Sequence, residues 1–368
     1  MSDRINLDHA ATTPVVPAAA EAMAAALASW ANPSSPHAEG RAARAAIERA
    51  RARIAAAYGW DGEVILTSGA TEAIEIACRR AQVAGRMASA VEHDAVLRAL
   101  PDAPRIEVDG DGVIDLAALE AALAKAETPA LVAVQWGNNE TGVLQPIAAV
   151  AAMVHRAGGL LLVDAAQMPV GWDDEDLPQD HADFISVSGH KRGGPPGIGA
   201  LLVRDLAMLL PSGGQERGYR GGTENVPGAA GFQAALDSPE DLPYMAELRE
   251  RLDAAIAEAG GERIAPDAER RTPLIASYRM PGVAAATQLI RFDLAGIAVS
   301  AGAACSSGSM RPSHVLARMG IGSAEAAQVV RVSFGRATGK DDIDRFVETW
   351  RAIAADVAAQ TMTDDLTE

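Results

Sequence analysis

The sequence has little cysteine, few aromatic residues and no long apolar run. Its two cysteines, Cys78 and Cys305, are too few among 368 residues for a disulfide framework or a self-contained zinc site. The 5 Trp, 4 Tyr and 5 Phe residues offer few stacking surfaces for nucleic acid. No apolar run approaches the roughly 20 residues of a membrane span, and the N-terminus MSDRINLDHA is not typical of a signal peptide. We therefore expect a soluble, cytoplasmic protein.

Basic residues are outnumbered by acidic ones, and lysine is almost missing. The formal net charge of −17 repels nucleic-acid phosphates and anionic lipids, so neither is an expected partner. The 32 basic residues include only three lysines, which are Lys125, Lys191 and Lys340. Arginine stays protonated and is no nucleophile. Any chemistry that needs an amine therefore has three positions to draw on.

Strands alternate with helices over the first two-thirds of the chain. Four apolar segments, each followed by a polar cluster, lie at 63–67, 131–134, 160–163 and 184–188. This alternation predicts an α/β fold with a mainly parallel sheet that is covered on both faces. Ligands bind beyond the carboxyl ends of such strands. From about Leu242 the pattern changes to that of a smaller α+β domain, with a linker expected at 237–243.

Lys191 lies between a strand and a glycine-rich turn, in Ser186-Val-Ser-Gly-His-Lys-Arg-Gly-Gly. At the carboxyl edge of a sheet, its amine could form a Schiff base with pyridoxal phosphate (PLP). A lysine in a surface loop fits this segment equally well. Lys125 lies in a helical run and Lys340 precedes a helix, where a solvated charge is the expected role.

Other polar residues that follow strands could bind the remaining groups of PLP. The turn at 68–71 could hold a phosphate at a helix N-terminus, although a plain helix cap fits it as well. Asp164 could pair with a protonated pyridine nitrogen, and Gln167 or Asn139 could hydrogen-bond the phenolic oxygen. His93 could stack on the ring, although a lone histidine is more often structural.

The two cysteines lie in contrasting segments. Cys305 lies in a small, polar, glycine-bearing segment that is typical of an exposed loop, so its thiol is a candidate nucleophile. Cys78 lies on an apolar helical run and is expected to pack as a small hydrophobic residue. Late in the chain, Arg331 and Arg336 flank Val-Ser-Phe-Gly, where an arginine could bind a substrate carboxylate.

Taken in order, these segments resemble the NifS/IscS-type cysteine desulfurases of the class V aminotransferase family. The resemblance covers nearly the whole chain, at 7–14, 32–37, 68–72, 92–93, 138–142, 164–167, 188–191, 214–218, 220–223, 300–309, 313–316 and 331–335. Any one of these motifs is weak evidence, whereas the ordered set is specific.

The resemblance implies the fold of PLP-dependent transferases. That fold has a large domain with a mainly parallel seven-stranded sheet and a smaller α+β C-terminal domain. Residues 14–240 are then the large PLP-binding domain. Residues 1–13 and 241–368 form the small domain, which carries the catalytic cysteine loop.

The resemblance also implies a role for each site residue. Lys191 carries PLP as a Schiff base and removes the Cα proton, Cys305 accepts the sulfur, and His93 stacks on the ring. The other cofactor contacts come from Ala70, Thr71, Asn139, Asp164, Gln167, Ser188, His190 and, from the other subunit of a homodimer, Thr223. Arg331, together with Asn139, binds the carboxylate of L-cysteine.

The implied reaction converts L-cysteine into L-alanine and a persulfide on Cys305. The sulfur then passes to an acceptor protein such as an iron–sulfur scaffold, for cluster assembly or tRNA thiolation. The chain has no metal of its own, although Cys305 could transiently share an iron–sulfur cluster with a scaffold. Selenocysteine lyase and another class V aminotransferase are the alternatives, and the thiol-bearing loop argues against simple transamination. A non-catalytic homologue is disfavoured because Lys191, Asp164 and Cys305 are all present.

The sequence departs from the family pattern at two places near the site. After Lys191 the family usually has an aromatic residue and then Gly-Pro-Lys-Gly, whereas this chain reads Arg-Gly-Gly-Pro-Pro-Gly at 192–197. After Gly-Ala-Thr-Glu the family usually has an asparagine, whereas residues 73–77 are Ala-Ile-Glu-Ile-Ala. Neither departure removes a catalytic group, and the identity of the sulfur acceptor stays open.

Overall fold

A computed structural model describes residues 4–172, 174, 176–302 and 312–364, with side chains as far as residue 356. The strands are β1 (Ile5–Asn6), β2 (Glu63–Thr67), β3 (Gly85–Ser89), β4 (Arg105–Ile106), β5 (Ala130–Gln135), β6 (Leu160–Asp164), β7 (Phe184–Ser188), β8 (Gly199–Val203), β9 (Glu262–Arg263), β10 (Ile275–Arg279), β11 (Ile297–Ala298) and β12 (Val329–Ser333). The α-helices are α1 (Pro17–Ala28), α2 (Ala38–Ala57), α3 (Ala70–Arg80), α4 (Asp94–Ala99), α5 (Leu116–Leu123), α6 (Ile147–Arg156), α7 (Pro178–His181), α8 (Val226–Ala235), α9 (Leu242–Glu258), α10 (Ala285–Leu294), α11 (His314–Arg318), α12 (Ser323–Ala326) and α13 (Lys340–Asp364). Over these ranges, no helix has the length and apolar character that crossing a membrane requires.

The largest sheet has seven strands in the order β2-β8-β7-β6-β5-β3-β4. Strand β8 is antiparallel to both of its neighbours, whereas the other pairings are parallel. Strand β5, Ala-Leu-Val-Ala-Val-Gln, is buried along its whole length, as a strand covered on both faces should be. The predicted α/β fold with a mainly parallel seven-stranded sheet is confirmed.

Helices cover both faces of this sheet. Apolar side chains of α2, α5, α6 and α8 pack on one face, and those of α3 and α4 pack on the other. Helix α3 shows the reason in its sequence, because Ala73 and Ala77 are buried while Glu75 and Arg79 face solvent. Cys78 lies on the buried side of α3 and is completely buried, as expected for a small hydrophobic residue.

A smaller α+β unit follows the sheet. Strand β10 pairs antiparallel with β12 and β9, and β1 pairs parallel with β11. Helices α9, α10 and α13 pack around aromatic side chains, among which the rings of Phe292 and Phe346 stack with centroids 4.7 Å apart. Because β1 comes from the start of the chain, its pairing with β11 supports the proposed division, in which residues 1–13 belong with 241–368.

The loop after β5 joins the sheet to this smaller unit. Asn138 Oδ1 accepts the backbone N–H of Glu140 over 2.8 Å, and Ser277 on β10 donates to the Glu140 carbonyl over 2.8 Å. Gly142 has φ 76°, and a Cβ atom there would lie 2.0 Å from the carbonyl oxygen of Ile275. Glycine is therefore required at this position for its backbone conformation and for the space it leaves.

Replacing Gly142 by alanine tests this contact. Strain at positive φ and the clash with Ile275 should together lower the free energy of unfolding by about 3 kcal/mol, measured by urea denaturation. Gly158→Ala is the matched control, because Gly158 has φ 72° and no heavy atom within 4 Å of the new Cβ. The control should cost about 1 kcal/mol. Equal losses in the two variants would contradict the steric role of Gly142.

Candidate cofactor site

Four parallel strands, β2, β5, β6 and β7, end at one edge of the sheet. The register pairs Gln135 with Asp164 and Asp164 with Ser186, so β5 and β6 end level and β7 continues two residues further, to Ser188. A cavity of about 420 Å³ opens at this edge, where parallel sheets bind their ligands. Nine predicted site residues line it: Ala70, Thr71, His93, Asn139, Asp164, Gln167, Ser188, His190 and Lys191.

A second cavity, of about 590 Å³, lies between Trp172 and helix α9 and contains none of the predicted site residues. The described part of the chain holds no group of His, Cys, Asp and Glu side chains arranged to bind a metal ion. An amine, a carboxylate and two imidazoles converge at the sheet edge instead. The cavity at the sheet edge, although it is the smaller of these two, is therefore the candidate functional site.

Lys191 and Gln167 donate to the same backbone carbonyl. Lys191 follows β7 in a single 3₁₀ turn (Gly189–Lys191), and its Nζ donates to the carbonyl oxygen of Ala10. Gln167 Nε2 donates to that oxygen over 3.1 Å. Ala11 also lines the cavity. The segment before α1 thus forms one wall of the site and holds the amine at the carboxyl edge of the sheet.

Asp164 is the last residue of β6, and two hydrogen bonds orient its side chain. Its Oδ1 accepts the Ser186 hydroxyl over 2.9 Å and the backbone N–H of Ala166 over 3.0 Å. The residue is 8% exposed. These contacts fix a carboxylate in the cavity wall, in the environment needed to pair with a protonated pyridine nitrogen.

His93 caps helix α4, and the cap determines which ring nitrogen carries the proton. Nδ1 accepts the backbone N–H of Ala95 over 3.1 Å. Because a backbone N–H can only donate, the neutral ring carries its proton on Nε2. The cap therefore positions the ring in the cavity wall with a defined N–H donor.

The turn between β2 and α3 has the features of an anion site. Gly69 has φ 155°, and no heavy atom lies within 4 Å of the place a Cβ would take, so the space beside the turn is open. Helix α3 begins at Ala70, and the first N–H groups of a helix have no partner within it. Ser188 and His190 approach from the end of β7. A phosphate fits between these two groups of donors.

His190 is held in its neutral form. Burial, followed by the positive charges of Lys191 and Arg192, lowers its pKa to about 4. Nδ1 lies 3.2 Å from the hydroxyl of Thr12, and the His190 carbonyl accepts the backbone N–H of Thr13 over 2.9 Å. A neutral imidazole offers one donor and one acceptor, which suits a hydrogen-bonding role beside a phosphate.

The residues present fit PLP group by group. Lys191 has the amine that would react with the aldehyde, and Asp164 has a carboxylate that would suit the pyridine nitrogen. The open turn at Gly69 and the N-terminus of α3 suit the phosphate. His93 lies in the same wall, where a ring could stack on it.

Comparison with known proteins assigns the family. The class-V aminotransferase family matches residues 5–346. The chain belongs to the class-V aminotransferase family. Enzymes of this family that act as cysteine desulfurases are PLP-dependent in general, which agrees with the fit of the site.

Three relatives within this family cover nearly the whole chain. The cysteine desulfurase of Cereibacter sphaeroides is 39% identical over an alignment of 369 positions, which covers 94% of each chain. The NifS-like protein from Rickettsia africae has a TM-score of 0.85 and 31% identity, covering 95% of this chain and 99% of its own. The structure of SspA in complex with cysteine has a TM-score of 0.77 and 29% identity, covering 91% and 100%. The resemblance to cysteine desulfurases is confirmed.

Among the described residues, two predicted site residues do not line the cavity. Arg331 on β12 is buried beside it, where Nη1 donates to the Asn139 carbonyl over 2.9 Å and Nη2 to Asp8 over 2.8 Å. Thr223 is exposed, in the segment before α8. Cys305 lies outside the described residues. Arg331 thus contacts Asn139, which lines the cavity, from the smaller unit.

Two acidic residues that the sequence analysis did not single out also shape the site. One is Asp8, which pairs with Arg331. The other is Glu92, which is completely buried and accepts the backbone N–H of Gln135 over 2.8 Å. Burial, followed by the charge of Asp164, raises the pKa of Glu92 well above its usual range. Its place before His93 is the only sequence signal, since nothing in the sequence shows that this side chain turns inward.

The lowered pKa of His190 predicts how stability depends on pH. Between about pH 6.5 and pH 4 the unfolded chain binds a proton that the folded protein does not bind, so acidification destabilises the fold. Urea denaturation of the protein without PLP should show a smaller loss of stability between pH 7 and pH 5 in His190→Asn than in the unmodified chain. Identical losses would show that His190 is not held neutral, since all other titrating groups are common to both proteins.

Proposed function

We propose that this chain is a PLP-dependent cysteine desulfurase, which converts L-cysteine into L-alanine and a protein-bound persulfide. The observation that carries the proposal is the convergence of Lys191, Asp164 and the N-terminus of α3 on one cavity. The chain's curated relatives are cysteine desulfurases, including an IscS-like enzyme of Mycobacterium tuberculosis at 37% identity. Enzymes of this group act on L-cysteine.

The residues of the cavity divide the chemistry between them. Bound PLP would supply an electron sink for the negative charge that develops at the substrate Cα. Lys191 would hold the cofactor covalently and, once the substrate amine has replaced its own, would accept the Cα proton. Asp164 would keep the pyridine nitrogen protonated. His93 would stack on the ring and keep its Nε2 proton available to the substrate.

The substrate carboxylate is assigned to Arg331. Its guanidinium already binds two oxygen acceptors, the Asn139 carbonyl and the Asp8 carboxylate, and its Nε is buried without a hydrogen-bond partner. A carboxylate can bind a guanidinium through two parallel hydrogen bonds. Arg331 would therefore orient L-cysteine with its Cα toward Lys191.

The sulfur acceptor is assigned to Cys305. Its thiolate would attack the sulfur of the substrate, so that the carbon–sulfur bond breaks as a sulfur–sulfur bond forms. The electron pair of the broken bond stays on the substrate Cβ, which then takes up a proton. The product that leaves is L-alanine, and Cys305 carries the persulfide. Cys78 cannot take this role, because burial raises the pKa of its thiol to about 12.

Further partners follow from the same proposal. The enzyme would act as a homodimer in which Thr223 of each subunit reaches the phosphate of the cofactor in the other. An acceptor protein, such as an iron–sulfur scaffold or a tRNA-thiolation protein, would take the sulfur from Cys305. A reactive thiol needs a reducing compartment, so we place the enzyme in the cytoplasm.

The test is an assay of the purified protein with PLP, L-cysteine and a thiol reductant, in which alanine and sulfide are both measured. Lys191→Ala should abolish turnover and the visible absorption of the bound cofactor. Cys305→Ser should keep that absorption and lose about a hundredfold or more in sulfide release, because the nucleophile is gone.

Cys78→Ala is the matched control and should retain activity. Normal sulfide release by Cys305→Ser would rule out the persulfide step. A protein that never takes up PLP would point instead to a non-catalytic homologue. Faster turnover of selenocysteine than of L-cysteine, with no need for Cys305, would identify a selenocysteine lyase.

A further inference from the structure

Two carboxylates cover the free edge of strand β2, next to the phosphate turn. Strand β2 is the edge strand at one side of the seven-stranded sheet. Every second backbone N–H along it points away from the sheet and has no partner on another strand. Glu216 accepts the N–H of Leu66 over 2.8 Å, and Glu72 accepts the N–H of Ser68 over 2.5 Å. Ser68 also lines the cofactor cavity. The carboxylate of Glu72 is thus one hydrogen bond away from the wall of the site.

Each of these carboxylates is paired with an arginine. Arg51 donates to Glu216, with 2.8 Å between Nη2 and Oε1, in a pair that is almost completely buried. Arg220 donates through Nε to Glu72 Oε1 over 2.8 Å. The pair of Glu216 with Arg51 holds the 212–220 segment against the sheet independently of Arg220. A substitution at Arg220 therefore removes a charge without releasing that segment.

The charge of Glu72 is poorly suited to a phosphate neighbour unless it is neutralised. Glu72 is the third residue of α3, and its carboxylate uses the Ser68 N–H of the turn where the phosphate would bind. Burial acts to raise the pKa of Glu72, but hydrogen bonds from Arg220 and Ser68 outweigh it and hold the pKa below its usual range. An ionised carboxylate and a phosphate dianion at one helix N-terminus repel each other.

We propose that Arg220 is a positioning residue for the cofactor phosphate, which neutralises Glu72 so that the phosphate turn accepts a dianion. This inference rests on the proposed function, because it assumes that PLP binds at this turn. The ion pair of Arg220 with Glu72 then has an electrostatic role, in addition to the hydrogen bond that Glu72 accepts from the backbone beside β2.

The test compares the binding of PLP with that of pyridoxal, which has the same aldehyde and ring but no phosphate. Arg220→Gln should weaken PLP binding about tenfold, because Glu72 is left unneutralised, and should leave pyridoxal binding unchanged. The double variant Glu72→Gln/Arg220→Gln should regain most of the affinity for PLP. Absorbance titration of the cofactor-free protein measures both dissociation constants.

Two single variants separate charge neutralisation from a purely structural brace. Arg220→Lys keeps the charge and should bind PLP within about twofold of the unmodified protein. Glu72→Gln removes the repelling charge and should bind PLP at least as tightly as the unmodified protein, whereas a brace predicts weaker binding. If Arg220→Gln does not fold, the Glu72→Gln result decides between the two roles.

Equal losses for PLP and pyridoxal, or a double variant as weak as Arg220→Gln, would overturn the inference. So would unchanged PLP binding by Arg220→Gln. Failure of the unmodified protein to bind PLP at all would instead refute the proposed function, so the two failures are distinguishable.

Discussion

The register of β5, β6 and β7 is the constraint on which the rest of the site depends. Their hydrogen-bond register places Gln135, Asp164 and Ser186 side by side. A slip of one residue would turn the Asp164 side chain to the opposite face of a sheet whose faces are both covered by apolar helices. The reversed strand β8 contributes Gly199 at the same edge, where a Cβ would lie 2.6 Å from the Cα of Gly69. Register and a small residue together therefore make room for the phosphate turn.

Local burial, rather than the net charge of −17, sets the electrostatics at this edge. Asp164 and Glu92 are both buried, and the raised pKa of Glu92 favours its neutral form, so that two negative charges do not face each other. Burial, followed by the positive charges of Lys191 and Arg192, lowers the pKa of His190 and favours its neutral form.

The sequence predicted the strands that carry the site to within one residue, because each is an apolar run ended by a polar residue. It did not predict β3, whose Arg86 interrupts the apolar pattern and is accommodated by donating to the Cys78 carbonyl over 2.7 Å. Helix α2 was not predicted either, because alanines fill much of its buried stripe, in which Ile47 and Ile54 are the large apolar side chains. The ion pair of Asp8 with Arg331 could not be predicted either, since its partners lie 323 residues apart.

The pair of Asp8 with Arg331 also connects the smaller unit to the cavity wall. Arg331 is held between the N-terminal segment and the loop after β5, so three distant parts of the chain meet at one guanidinium. A buried guanidinium without acceptors is costly, and Asp8 and the Asn139 carbonyl avoid that cost. A substrate carboxylate that binds Arg331 through Nη2 must therefore compete with Asp8 for that donor, whereas Nε has no partner. Because one carboxylate replaces another, the net charge around Arg331 is conserved if Asp8 moves out to solvent. An unpaired positive charge would attract any anion. With Asp8 in place, selectivity for an amino-acid substrate would depend instead on whether its carboxylate can bind Arg331 while its amino group reaches Lys191.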